Sequence, residues 1–132
     1  FQCKDMYLRR MVYLVIKELS RTAKDTLIVT SSLTQDINNG KIDAVSKAGA
    51  IRALGCIVDG GMVQAVERFL KQAMGERAEV LASAALVTGV NLFLGDMAAR
   101  DAVRRWGPEV QQALNAAAPA KSITQYHALA LA

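Results

Sequence analysis

The chain has 132 residues, enough for one domain or part of one and too few for a multidomain enzyme. Apolar residues make up 52% and aromatics only 5%, so a core must be built from Ala, Val, Leu and Ile, and two prolines with a mean hydropathy of +0.19 argue against disorder. The net charge of +4 is carried by residues 1–24, where Lys4, Arg9, Arg10, Lys17, Arg21 and Lys24 face only Asp5 and Glu18. Such a basic start suits an anionic partner or a membrane face, although a solvated helix surface is the commoner reason for it.

Apolar residues recur at spacings of three and four along the whole sequence, which predicts helices over 6–21, 25–37, 44–58, 62–74, 79–94, 98–115 and 121–132. Asp5 is placed to cap the first, whose Leu8, Met11, Val12, Leu14, Val15, Ile16 and Leu19 leave a narrow polar stripe and predict burial on most sides. The second stops at Asn38-Asn39-Gly40 and the third at Asp59-Gly60-Gly61, residues that tolerate the backbone conformations ending helices. The fourth is amphipathic, with Val63, Val66, Phe69 and Leu70 on one face and Gln64, Glu67, Arg68 and Lys71 on the other. The fifth is apolar nearly all round. Its run from Leu81 to Leu94 is interrupted by Ser83, Thr88, Gly89 and Asn91 and falls short of the roughly 18–20 residues that span a bilayer. Pro108 lies inside the sixth pattern and should kink or split it.

Mostly buried helices thus alternate with one-sided ones, and the buried ones share a pair of residues: Tyr13-Leu14, Ala53-Leu54, Ala85-Leu86 and Ala128-Leu129. The leucines are 40, 32 and 43 residues apart, near the roughly 40–47-residue helix pairs of HEAT and armadillo arrays. One helix pair cannot bury its own apolar face, so an inner helix must touch its partner and both neighbouring repeats. A plain bundle accounts for the amphipathic helices but not for the alternation. The expectation is an all-α, HEAT/armadillo-like solenoid of about seven helices, a single segment of a longer helical-repeat chain. Phe1 is no initiator, and the apolar stretch Tyr126 to Ala132 suggests a piece cut from a larger polypeptide.

Little in the sequence points to catalysis. His127 is the only histidine and reads as a helix residue facing a neighbouring repeat, Cys3 and Cys56 are 53 residues apart and fit a reducing, cytosolic setting, and no carboxylates stand at ligand spacing. Gly40-Lys41 lacks the first glycine and the Ser or Thr of a phosphate loop, and Gly60-Gly61 lies between helices. Ser31, Ser32 and Ser83 have no base within reach in the pattern. Trp106 reads as an anchor for the sixth helix, and no aromatic-interleaved basic stripe for nucleic acid is present. No enzyme activity, cofactor, metal or nucleic acid is expected.

Specific strings carry more information than composition does. Leu8-Arg9-Arg10-Met11 with Tyr13-Leu14 and Ile16-Lys17-Glu18, and above all Ile28-Val29-Thr30-Ser31-Ser32-Leu33-Thr34 with Asp36, closely resemble the amino-terminal, adaptin-like trunk of coatomer gamma subunits. Arg52-Ala53-Leu54, Gln64-Ala65-Val66-Glu67-Arg68, Ser83-Ala84-Ala85-Leu86-Val87, Arg105-Trp106 and Gln125-Tyr126-His127-Ala128-Leu129 follow in that family's order. Met6 and Ala50 stand where the family pattern has prolines, and Gly107-Pro108 where it continues a helix, as in a divergent member.

The resemblance implies a structural subunit of the COPI vesicle coat. It would be cytoplasmic and peripheral on Golgi membranes and vesicles, partnered by the zeta and other coatomer subunits and by the GTP form of an Arf GTPase. Other classes weighed against it are a HEAT scaffold of nuclear transport or phosphatase assembly, and a helical domain attached to an enzyme. No short motif marks the Arf contact. Geometry nominates the polar edges of the buried helices as partner-binding candidates: Arg9, Tyr13 and Lys17 on the first, Arg52 on the third and Ser83 on the fifth.

Overall fold

Short polar side chains start four of the helices. In the computed structural model, which describes residues 3–19, 26–116 and 122–132, Asp5 accepts from the backbone N–H of Tyr7 and Leu8 at 2.8 and 3.0 Å. Asp43 accepts from Ser46, Asp96 from Ala99 and Ser122 from Gln125 in the same way, satisfying donors that a helix start leaves free. The described residues form eight helices: α1 (Met6–Leu19), α2 (Thr26–Asn38), α3 (Ala44–Ile57), α4 (Val63–Met74), α5 (Glu79–Phe93), α6 (Met97–Arg104), α7 (Gly107–Ala116) and α8 (Ile123–Leu131). The expected helix end at 21 and the starts at 25 and 121 lie outside the described residues.

The count is eight rather than seven because the pattern over 98–115 is two helices. The Trp106 N–H donates to the Val103 carbonyl at 2.9 Å, closing α6, and the Trp106 carbonyl accepts from the Val110 N–H at 3.0 Å, opening α7. Pro108 falls in the first turn of α7, where a missing N–H costs nothing.

The helices form two rows. α1, α3, α5 and α8 pack side by side as the inner row, and α2, α4, α6 and α7 lie against them as the outer row. α5 is the centre, touching α3, α4, α6 and α8, with residues 81–86, Thr88, Gly89 and Leu92 buried. The repeated residue pairs map onto the inner row in an informative way. Their first members, Tyr13, Ala53, Ala85 and Ala128, are all buried. The leucines are buried only in the middle, Leu54 and Leu86 at 0%, while Leu14 and Leu129 are 61% and 67% exposed on the flanking helices.

This corrects the expectation that the first helix is buried on most sides. In α1 only Tyr13 is buried, and Tyr7, Leu8, Met11, Leu14, Val15 and Leu19 are exposed. Its apolar residues cover several sides of the cylinder, but among the described residues its extended helix contact is with α3 alone.

The outer row is tied by charge. The Trp106 indole, fully buried, donates to Glu67 at 2.9 Å, and Lys71 bridges Glu67 on α4 and Glu109 on α7 at 3.2 and 3.1 Å. Successive connections are joined where the Gly60 N–H donates to Asp96 at 2.8 Å, so the carboxylate that caps α6 also holds the turn before α4.

The inner row is spaced by small residues. A Cβ on Gly55 of α3 would lie 2.5 Å from Cγ2 of Thr88 on α5, and the Thr88 hydroxyl donates to the Ile51 carbonyl at 3.4 Å. Thr88 is buried and β-branched, so it has no free rotamer to yield. Gly55→Ala therefore destabilises the chain by about 1–3 kcal/mol despite alanine's better helix propensity. Urea denaturation of this variant beside Gly55→Ala/Thr88→Ser, which removes the obstructing methyl and keeps the hydroxyl, checks it. The double variant recovers part of the loss.

Candidate partner-docking groove

On α1, residues 10, 13, 14 and 17 fall on one helical face at spacings of three and four, and on α3 residues 45, 49, 52 and 53 do the same. The two faces meet at an angle that leaves a groove of about 330 Å³, lined by Arg10, Tyr13, Leu14 and Lys17 from α1 and by Val45, Gly49, Arg52 and Ala53 from α3. Three of the five residues nominated from sequence, Tyr13, Lys17 and Arg52, line this groove together.

Tyr13 makes the floor. Its ring lies over Gly49, where a Cβ would be 3.0 Å from the ring edge, so the absence of a side chain there lets α1 approach α3. Its hydroxyl donates to Asp36 of α2 at 2.9 Å, and the other oxygen of Asp36 pairs with Arg9 at 2.8 Å. Arg9 also donates to the Cys3 carbonyl at 2.7 Å. Arg9 thus does not present its charge to a partner. It is spent within the molecule, fastening α1 to α2 and fixing the tyrosine that forms the floor.

Ser83 also stands elsewhere. It is buried on α5, and its hydroxyl is 2.7 Å from Nδ1 of His127 on α8. Ser and His here are a contact between two inner helices. Among the described residues no third group orients the pair, and Ser83 is buried.

Arg10, Leu14, Val45, Gly49 and Ala53 complete the groove but are absent from the sequence nominations. The i, i+3, i+4, i+7 spacing of Arg10, Tyr13, Leu14 and Lys17 carried the signal for one wall. Nothing local announced that Val45, Gly49 and Ala53 would face it. Among the described residues, no group of three or more His, Cys, Asp or Glu side chains is arranged to hold a metal ion, and no helix is long and apolar enough to cross a membrane.

Two rows of helices built on small-residue contacts, with a groove between adjacent inner helices, define a helical-repeat scaffold of the α-solenoid class. The chain belongs to the adaptin N-terminal region family, whose model matches residues 1–132. It is similar to the coatomer subunit gamma of Drosophila melanogaster, 50% identical over 131 residues, to the probable coatomer subunit gamma of Caenorhabditis elegans, 46% identical, and to coatomer subunit gamma-2 of Oryza sativa subsp. japonica, 48% identical. Each alignment covers 99% of this chain and 14% of the relative, so the chain spans about one-seventh of the length of the proteins it matches.

Burial pushes the Tyr13 phenol up from 10.0 to about 12; the hydrogen bond with Arg9 opposes the shift and Asp36 adds to it. The folded value lies above the unfolded one, so this contribution to stability is complete below pH 10 and is lost as pH climbs through about 12. The difference in urea stability between the wild type and Tyr13→Phe accordingly holds steady from neutrality up to about pH 9 and narrows above pH 10, as a series of denaturation curves across that range measures.

Proposed function

We propose that this chain is a segment of the trunk of a COPI coat subunit, a structural and recruitment component that binds the GTP-loaded form of an Arf GTPase at the Golgi membrane for Golgi-to-ER and intra-Golgi transport. The observation that carries the proposal is identity of 45–50% with coatomer gamma subunits across nearly all of the chain. The groove between α1 and α3 supports the docking part of it. The chain acts by binding and not by turnover, and it sits in the cytoplasm, peripheral on the membrane, beside the zeta and other coatomer subunits. Nucleic acid has no part in it.

In this reading Tyr13, Lys17 and Arg52 contact Arf directly, and Arg10 joins them. Arg9 acts through Tyr13, whose position it secures with Asp36, and Ser83 packs α5 on α8 and stands apart from the contact. A GTPase orders its switch segments when it holds the γ-phosphate, and a rigid groove that fits the ordered segments binds one nucleotide state better than the other. Recruitment to the membrane is that difference in affinity.

The test is binding to Arf loaded with a non-hydrolysable GTP analogue and, separately, with GDP, followed by surface plasmon resonance at two salt concentrations. Preference for the GTP form is expected, weakened about tenfold by Lys17→Glu or Arg52→Glu and unchanged by Ser83→Ala. Equal affinity for the two nucleotide forms would overturn the proposal.

A further inference from the structure

The two walls of the groove each carry an arginine, and among the described residues neither forms an ion pair with an acid. Arg10, on α1, is half-buried, and its Nε is shielded from solvent with no hydrogen-bond acceptor among the described residues; its Nη2 lies 3.9 Å from the Met6 sulfur. Arg52, on the facing wall of α3, is exposed, with no ion pair among the described residues. Lys17 adds a third cation at the α1 wall, and the lining contains no Asp or Glu. Several other described cations are paired with acids: Arg9 with Asp36, Lys71 with Glu67 and Glu109, Arg104 with Asp101 and Arg105 with Glu67. Arg10 and Arg52 thus face one groove whose lining holds no acid.

A shielded guanidinium N–H without an acceptor costs about 1–3 kcal/mol, so an occupant that supplies one is favoured by removing that cost. The rest of the lining limits what the occupant is. Between the arginines lie the Tyr13 ring, Gly49 and Ala53, and the rim is formed by Leu14 and Val45, which are 61% and 44% exposed. A phosphoinositide headgroup is polar on every side and would leave those walls facing polar atoms, whereas a side chain with an apolar stem and a carboxylate tip satisfies both. The volume of about 330 Å³ is at the small end of ligand sites and holds a few side chains.

We propose that the α1/α3 groove reads an acidic residue set beside a large apolar one in an exposed segment of a partner protein. The carboxylate is clamped between Arg10 and Arg52, and the apolar neighbour rests on Tyr13, Leu14 and Val45. Arginine suits the task because its planar fork meets a carboxylate with two parallel hydrogen bonds. The inference rests on the groove being the partner-docking surface, and it names the chemical feature of the partner that the groove selects.

Selection of a phage-displayed random peptide library on the 132-residue chain tests it, with the selected peptides resynthesised and titrated by fluorescence anisotropy. The expected peptides carry Asp or Glu next to Leu, Met or Phe. They bind about tenfold more weakly to Arg52→Glu and to Arg10→Met, and they recover on Arg52→Glu when the peptide acid is replaced by Lys. Arg52 is exposed, so Arg52→Glu leaves the fold intact, and far-ultraviolet circular dichroism verifies that for each variant. Selected peptides without an acid, binding indifferent to both substitutions, no enrichment at all, or binding confined to phosphatidylcholine vesicles that contain phosphatidylinositol bisphosphate would each overturn the proposal. Competition separates this reading from the preceding one. Acidic peptides that bind the groove without displacing GTP-loaded Arf leave the groove chemistry standing and remove Arf from it. Arf binding indifferent to Arg10→Met and Arg52→Glu likewise removes Arf from the groove, and the peptide titrations then decide the groove chemistry separately.

Discussion

A helix that is apolar on every side must be enclosed by other helices, and α5 imposes that requirement on the whole chain. It buries nine of its fifteen residues, and four helices close around it. The enclosure works only if the neighbours come close, which is why α5 is rich in alanine and why Gly55 of α3 faces Thr88 without a side chain of its own. Dense interiors leave little slack for an added methyl group. The inner row is the stack of helices that this helix requires, and the outer row covers what the inner row leaves bare.

The groove follows from the same economy of side chains, relaxed on one side. Gly49 admits the Tyr13 ring, and Arg9 and Asp36 then hold the ring by its hydroxyl, so the floor is fixed from beneath by groups that never reach the surface. The walls mix the cations Arg10, Lys17 and Arg52 with the apolar side chains of Leu14, Val45 and Ala53. A surface of this kind binds by complementarity with little rearrangement of its own backbone, as is usual for interfaces on rigid scaffolds. Of the cations in the first 24 residues, Arg9 is paired with Asp36 inside the molecule, while Arg10 and Lys17 line the groove.

Much of the architecture was legible in the sequence because it is written in local spacing. The i, i+3, i+4 recurrence marks the helices, and the repeated pairs from Tyr13-Leu14 to Ala128-Leu129 mark the inner row, since the residue that packs deepest must be placed alike in each repeat. Pro108 announces the break in the sixth pattern. Its position, two residues past the break, was not legible, because it depends on Trp106 being drawn into the contact with Glu67. The exposure of α1 was misread for a related reason: apolar periodicity says which residues avoid water, and the number of neighbouring helices decides whether they can. Of the groove lining, Tyr13, Lys17 and Arg52 could be found from polar edges on apolar helices. Arg9 and Ser83 could not be sorted from them, because their partners, Asp36 and His127, lie 27 and 44 residues away in sequence.

The unequal enclosure of the inner helices also grades the chain in time. Contacts in a stacked array are made with neighbours, so opening free energy is set locally and not shared evenly. α1 is joined to α3 along one face and to α2 by the Arg9, Asp36 and Tyr13 cluster, whereas α5 is closed in by four helices. Amide protons of α1 therefore exchange with solvent through small, frequent openings that leave the rest folded, and those of α5 wait for the loss of the whole stack. The groove straddles that gradient. One wall belongs to the readily opening end of the array and the other to its slow interior, so a partner seated between Arg10 and Arg52 spans the two kinetic classes and slows the faster one.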